Sequence, residues 1–330
     1  MPSHRIARWL RGGMVAPMAA LVVATALSSV PADAWWIRAL DFPRQQMAAA
    51  LAALVLCALV VARRSSRLFR GVIVAAAGAI AVQMLWIAPY TGLVAVDMPV
   101  AARCDDPSRL ALLAVNVRYD NDDSAALRAV VERARPDILL LTEPGAWWEA
   151  ELAPVEAALP HVVRQPQEDT WGMLLYSRLP LVDPEVRFLV EPEIPSIRTR
   201  LQLSSGDVVW LYGVHPRPPV PGNDTDERDA ELIMVAREIR ARGEPAILVG
   251  DLNDVAWSRT TSRLLDLGDL RDPRIGRGPF STFDAGMPTW FRWPLDYVFY
   301  TSHFDLCRLQ LLDDVGSDHV PLLTESVLRR

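Results

Sequence analysis

Residues 246–254 read AILVGDLND. Four apolar side chains run into a glycine, and an aspartate, an asparagine and a second aspartate follow. A short unbroken apolar run closed by a turn residue reads as a strand buried on both faces. Asp251 and Asn253 are two positions apart, so on an extended chain they leave from one face. Taken alone, the stretch also fits a turn and helix cap ahead of AWSRTTSRLL (256–265).

The same arrangement recurs. Asn116 closes ALLAVN, Glu143 closes ILLLTE, His215 closes VVWLYGVH, and Asp318 and His319 follow the last apolar run at GSDHVPLL (316–323). Asp296 is the exception, standing at the start of LDYVFY. Between these runs lie amphipathic stretches. SAALRAVVERARPD (124–137) reads as a helix capped by Asp123 or Ser124 and stopped by Pro136. TDERDAELIMVAREIRARG (225–243) reads as a helix ending at Gly243. WGMLLYSRLPLV (171–182) reads as a strand, SIRTRLQL and DVVWLYGVH as a hairpin through SSGD, and FDLCRLQLL as a late strand. Alternating short strands and helices indicate an α/β domain, and open α/β sheets bind ligands where strands end.

The first hundred residues differ. Three apolar runs, at about 13–31, 46–62 and 71–92, show no polar face and approach the roughly 20 residues a helix needs to cross a bilayer. Arg5, Arg8 and Arg11 precede the first; Arg63, Arg64, Arg67 and Arg70 fill the loop after the second. The positive-inside rule then places the N-terminus and that loop in the cytoplasm and everything after Val100 outside. The expected organisation is an anchor of three transmembrane helices over 1–100 and a catalytic domain over 101–330, in the inner cell membrane with the domain on the extracytoplasmic side. Cleavage after ADA (32–34), as in a signal peptide, leaves that side unchanged.

Beyond Val100 the chain holds 25 basic and 37 acidic residues, and every basic one is Arg. That balance argues against a tight nonspecific duplex binder. Three cysteines without C-x-x-C exclude a zinc ribbon, and Cys104 and Cys307 can pair in an oxidising compartment. No G-x-S-x-G is present for a serine hydrolase. GDLND also fits a calcineurin-like metallophosphatase, but no D-x-H precedes Asp251 and too few histidines follow it.

In order, NV, TEP, GMLLYSRLPL, YGVHPRPP, GDLND, LDYVFY and GSDHVPLL resemble the endonuclease/exonuclease/phosphatase superfamily, which is deoxyribonuclease I-like, from Leu110 to about Leu323. HPRPP, DLNDVAWS and the N-terminal anchor are similar to its membrane-tethered bacterial branch. The resemblance implies a four-layer α/β sandwich, two packed mixed sheets flanked by helices, and metal-assisted hydrolysis of a phosphoester with Mg²⁺ or Mn²⁺. It implies Glu143 as main metal ligand, supported by Asn116 and with Asp318 close by. Asp251 would orient the attacking water or assist the leaving group, Asn253 would hold the phosphate, and His319 would contact it and handle a proton with Asp296 fixing the imidazole. His215 is a second possible acid. Arg178 and Arg217 are candidates for phosphate, as are Arg198 and Arg228. His161 and His303 read as structural, and TWFRW (289–293) as core or lip. The implied partners are a phosphoester (nucleic acid, lipid headgroup or small phosphodiester) and the bilayer; no protein partner is legible. A lipid or small-molecule phosphoesterase, or an inactive tethered binding module, stand as alternatives.

Overall fold

The computed structural model describes residues 2–61 and 66–329. Two compact units divide at Pro89/Tyr90, with Pro219–Asp224 belonging to the first. The first unit is helical: α1 (Pro2–Leu27), α2 (Trp35–Arg38), α3 (Arg44–Val61) and α4 (Arg67–Ile87). Ser66 caps α4 by accepting from Phe69 N at 3.2 Å. Met18, Leu51, Phe69, Ile73 and Ala76 form a core between these helices. A buried polar chain joins them as well: Arg44 donates to Asp41 at 2.5 Å, Gln83 at 3.0 Å and Ser28 O at 2.9 Å.

Three crossings were expected. Among the described residues one helix, Arg67–Tyr90 with mean hydropathy 2.1, is long and apolar enough. Trp35–Asp41 and Arg44–Val60 meet the requirement only as a pair bent by 66°, and Gly12–Leu27 is short. For α3 the limit is length: its 18 residues rise about 27 Å, just under the roughly 30 Å of a hydrocarbon core, while of α1 (Pro2–Leu27) only the part from Gly12 has its side chains described. The side chains of Arg5, Arg8 and Arg11, and Arg63 and Arg64 altogether, lie outside the described residues.

The second unit is an α/β sandwich of two mixed sheets. One has the order β11 (Phe304–Leu311), β12 (Leu322–Leu328), β1 (Arg109–Asn116), β2 (Ile138–Thr142), β4 (Met173–Ser177), β3 (His161–Gln165). The other runs β5 (Leu181–Arg187), β6 (Ser196–Gln202), β7 (Val208–Val214), β8 (Ala246–Asp251), β10 (Asp296–Thr301), β9 (Leu270–Arg271). Leu112, Leu140, Met173 and Leu175 of the first sheet pack with Leu211, Ile247, Val249 and Val298 of the second. On the outer face of the first sheet, Leu113, Leu139 and Leu141 pack with Leu127 and Val131 of α5 (Ser124–Ala134) and with Trp148 of α6 (Ala146–Glu151). Asp123 caps α5 through Ala126 N, and Arg135, in a left-handed conformation, ends it one residue before Pro136. α7 (Asp226–Arg242) ends at Gly243 and lies on the second sheet, where its Glu238 meets Arg187 and Arg198, both at 2.7 Å. α8 (Arg259–Gly268) follows the β8 loop.

Two expectations change, and one point left open is answered. WGMLLYSRLPLV is two strands, because the chain leaves β4 in one sheet and enters β5 in the other across Arg178–Pro180. The second unit begins at Tyr90 instead of residue 101: Tyr90 Oη donates to Ala256 O at 2.7 Å, Asp97 accepts from Asp272 N at 2.9 Å, and Met98 is fully buried. Cys104 and Cys307 are paired in a disulfide, and Cys57 is free and exposed.

Candidate active site

Strand direction explains where the polar residues meet. β1 and β2 are parallel, with Asn116 opposite Thr142, and β7 and β8 are parallel, with Val214 opposite Gly250. Their exits therefore share one end of the sandwich. β10 is antiparallel to β8 and places Asp296 opposite Asp251. The exception in the sequence is thus a strand that starts where its neighbours finish.

Two glycines make the approach possible. Gly250 has φ +148°, and a Cβ there would lie 1.9 Å from Val214 O, so only glycine lets β8 run against β7 at the residue before Asp251. Gly172 accepts from Glu143 N at 2.9 Å, and a Cβ on it would lie 2.0 Å from Pro144 O. Glu143 itself turns with φ 65°.

Asn116 is the hub. Its Nδ2 donates to Glu143 Oε1 at 2.8 Å and to Asp251 Oδ2 at 3.0 Å. Its Oδ1 accepts from Arg118 N at 2.9 Å, which fixes the amide orientation. The amide nitrogen, which has no lone pair to give a cation, is what faces the carboxylates, so Asn116 supports them by donating. His215 Nε2 lies 3.9 Å from Glu143 Oε1 and 3.8 Å from Asp251 Oδ2. His319 Nδ1 bonds Asp296 Oδ2 at 2.7 Å, leaving Nε2 3.6 Å from Asp251 Oδ2. Ser317 Oγ donates to Asn116 O at 2.7 Å and accepts from His319 N at 3.0 Å, which locks the His319 turn to β1. Asn253 N donates to Asp251 Oδ1 at 2.8 Å, and one of its amide hydrogens is committed to Pro216 O at 2.9 Å.

Electrostatics divides the roles. Burial pushes the Glu143 carboxyl up to about 7; the Asn116 hydrogen bond opposes this and the Asp251 charge adds to it. Burial also raises Asp251, with Asp296 adding and His319 opposing. Burial pulls His215 down to about 4, so it is neutral at pH 7. A neutral ring offers a lone pair or a hydrogen bond to the site. Burial opposes a charge on His319 too, but Asp296 and Asp251 outweigh it and lift the imidazole to about 10.

The donor chemistry fits a divalent cation. Glu143, His215 and Asp251 offer ligand atoms within 4.8 Å of one another, and so do Asp251, Asp296 and His319. Two buried carboxylates of raised pKa repel each other until a cation lies between them. Both ring nitrogens of His215 are buried with no hydrogen-bond partner among the described residues. The second group is already bridged by the His319–Asp296 bond, so the first is the better cradle. Asp318 belongs to neither group; its carboxylate is 3.4 Å from Ser317 Oγ, and its charge, like that of Glu143, acts on Arg118.

The arginines separate. Arg217 lies over Trp171 at 5.7 Å and pairs with Glu191 at 2.5 Å, while Trp171 sits 5.5 Å from the His215 ring, so Arg217 borders the site. Arg178 does not reach it. β4 is antiparallel to β2, with Ser177 opposite Ile138, so Arg178 emerges at the far end beside Asp137 at 3.4 Å. Arg198 is spent on Glu185 and Glu238. Arg228 is buried and donates to Asn253 O at 2.9 Å, which positions the Asp251–Asn253 loop. His161 is the first residue of β3, and His303 Nδ1 pairs with Thr301 at 3.0 Å. Sequence reasoning missed Thr282, which accepts from Asp296 N at 3.3 Å, and Tyr119, whose N–H reaches Glu143 Oε2 at 3.4 Å. It also missed Phe283, whose ring lies 4.9 Å from His319. All three lie outside the named helices and strands, where no periodicity marks them.

Two six-stranded mixed sheets that gather carboxylates and imidazoles at one end define an α/β sandwich with a candidate metal centre. The chain belongs to the Endonuclease/Exonuclease/phosphatase family, whose model matches residues 113–319. A search of curated proteins found no match. Among solved structures the chain is similar to an endonuclease/exonuclease/phosphatase from Beutenbergia cavernae DSM 12333, with 20% identity over 67% of this chain and 72% of that one and a TM-score of 0.54. It is similar to D. rerio TDP2 complexed with single strand DNA product, with 16% identity, 66% and 99% coverage and a TM-score of 0.56. The human Nocturnin catalytic domain with bound sulfate anion gives 16% identity, 67% and 95% coverage and a TM-score of 0.55.

Proposed function

We propose that this chain is a divalent-metal-dependent phosphodiesterase, using Mg²⁺ or Mn²⁺, that is attached to the inner membrane and works on its extracytoplasmic side. One observation carries the catalytic part: Asn116 bonds Glu143 and Asp251 together while His215 stands within 4 Å of both carboxylates and His319 within 4 Å of Asp251. Glu143, Asp251 and His215 would hold the cation, which when bound supplies Lewis-acid stabilisation of the phosphoryl oxygens. Asp251 would orient the attacking water, take its proton and pass it to the leaving oxygen as the P–O bond breaks. His319, charged and held by Asp296, donates from Nε2 to a phosphate oxygen. The second amide hydrogen of Asn253 remains for the phosphate, and Arg217 borders the pocket.

The apolar helix Arg67–Tyr90, 28% buried in its window, supports membrane attachment, and the Cys104–Cys307 disulfide supports an oxidising compartment. The acidic balance beyond Val100 favours a lipid or small phosphodiester over duplex DNA, whereas the DNA product held by the TDP2 neighbour keeps single strands among the candidates. The test is a screen of the full chain on plasmid DNA, single-stranded oligonucleotides, bis-p-nitrophenyl phosphate and a phospholipid set. Activity should vanish with chelator, return with Mg²⁺ or Mn²⁺, and be lost in Glu143→Gln. Turnover indifferent to both chelator and Glu143→Gln would overturn the mechanism, and a folded chain that turns over nothing would favour a binding module.

A further inference from the structure

Residues 283–293, FDAGMPTWFRW, form a loop built on the segment that carries His319. Its base is tied down. Thr282 N and Phe283 N donate to Trp293 O at 3.0 and 2.9 Å, and Ala285 N donates to Asp318 O at 2.7 Å. Phe283 stacks with Trp293 at 6.1 Å and also faces His319. The tip is braced from inside: Arg292 donates to Met287 O and Ala285 O, both at 2.7 Å, and Gly286 N donates to Asp284 Oδ1 at 2.9 Å. From this braced turn Met287, Trp290 and Phe291 stand out, 50%, 69% and 41% exposed, with the last two rings stacked at 4.1 Å. The catalytic chemistry derived above uses none of the three.

We propose that this tip is a docking lip that seats the catalytic end of the sandwich on a zwitterionic bilayer surface, and that the substrate is a lipid-headgroup phosphoester. The substrate half of this rests on the phosphoesterase reading above. Tryptophan, with an apolar body and one polar N–H, belongs at the membrane–water boundary. A nucleic-acid platform needs open ring faces beside cations that track a phosphate backbone. Here the two rings cover each other on one face, and Arg292 is turned inward onto two carbonyls. The acidic balance beyond Val100 likewise disfavours a polyanion and an anionic membrane. The linker between the apolar helix and the catalytic unit is also short. Ala88 and Pro89 alone separate Ile87, the end of α4, from Tyr90, which is bonded into the catalytic unit at Ala256. A bilayer holding α4 leaves that unit almost no tether.

The test uses the full chain with Cys57→Ser, carrying a nitrobenzoxadiazole label at Met287→Cys, in phosphatidylcholine nanodiscs. Val208→Cys, at the start of β7 and 44% exposed, is the control, because it lies at the end of the strand away from His215. Phosphatidylcholine with a shallow nitroxide should quench the Met287 label roughly twofold or more and spare the control. Equal quenching at both positions overturns the lip, as does shielding of the Met287 label by a single-stranded oligonucleotide in place of lipid. Hydrolysis of disc phosphatidylcholine should exceed that of free glycerophosphocholine by about tenfold or more, since docking raises local concentration; equal rates overturn the substrate assignment. Turnover of bis-p-nitrophenyl phosphate by the same labelled chain separates the two readings. Turnover without quenching overturns the lip alone. Quenching with no phosphoester turnover supports the lip and overturns the phosphoesterase reading.

Discussion

Glu143 holds an electrostatic conflict that can be measured. Its carboxyl rises from 4.5 to about 7 on folding, burial being the main cause. The folded chain therefore favours the protonated form. This contribution to stability is fully present below about 4.5 and is lost as pH rises through about 7. Without metal at pH 8, Glu143→Gln should raise the thermal midpoint by roughly 2–4 °C per kcal/mol of relief, and at pH 4.5 it should change little. The same variant should lose about 10²-fold or more in turnover, the low end of what a group acting on the transition state contributes. A lower midpoint at pH 8 would mean that the carboxylate is favourable in the empty site, contrary to this account. Cation binding must displace the Glu143 proton below about pH 7, so affinity should fall with acidity, and calorimetry in buffers of different ionisation heat should show proton release. Asn116 acts one bond away. Asn116→Ala removes the donor shared by Glu143 and Asp251 and should weaken metal affinity by about 10–100-fold; an unchanged affinity would remove it from the support of the site.

At the level of elements, the site depends on how β7 meets β8. Gly250→Ala would put a methyl 1.9 Å from Val214 O at φ +148°, so the two strand ends that present His215 and Asp251 would have to separate. Its cost should exceed about 2 kcal/mol by denaturant titration, with turnover falling in step. A variant of wild-type stability would show that the close approach is dispensable. This junction was half legible in the sequence. AILVGD announced a buried strand ending in an acid, and order alone brought Asn116, Glu143, His215 and Asp251 to the ends of apolar runs. Direction was not legible, because alternation and apolarity are the same read forwards or backwards. Hence Asp296 looked like an exception although antiparallel pairing places it opposite Asp251, and Arg178 looked like a site residue although it leaves β4 at the far end. The run WGMLLYSRLPLV hid a change of sheet at Pro180. HVVRQ (161–165), mostly half-buried, carried too little contrast to be read as β3 at all.

For the molecule as a whole, the Cys104–Cys307 disulfide joins the proposed compartment to the stability of the fold. The pair closes a loop with a sequence separation of 203 residues. By chain entropy alone such a loop is worth about 5 kcal/mol, and measured cases centre on 2–4. Its location matters as much as its length. Cys307 sits in the bulge between Leu306 and Arg308 of β11, an edge strand of its sheet. Beside it Leu306 exchanges backbone hydrogen bonds with Pro99 O at 2.8 Å and Ala101 N at 2.9 Å. The disulfide thus clamps the segment entering the sandwich over an edge that would otherwise offer unpaired backbone to another chain. Two consequences follow for Cys104→Ser/Cys307→Ser. The denaturant midpoint should fall by an amount equivalent to about 2–5 kcal/mol. The loss should come with concentration-dependent association, because residues 99–101 are freed to lift from β11. Tris(2-carboxyethyl)phosphine on the wild-type chain should reproduce both, and because the clamp is remote from Glu143, kcat on bis-p-nitrophenyl phosphate should hold below the new midpoint. If reduction leaves the midpoint and the monomer population unchanged, the edge is protected by its hydrogen bonds alone and the fold carries no dependence on an oxidising compartment.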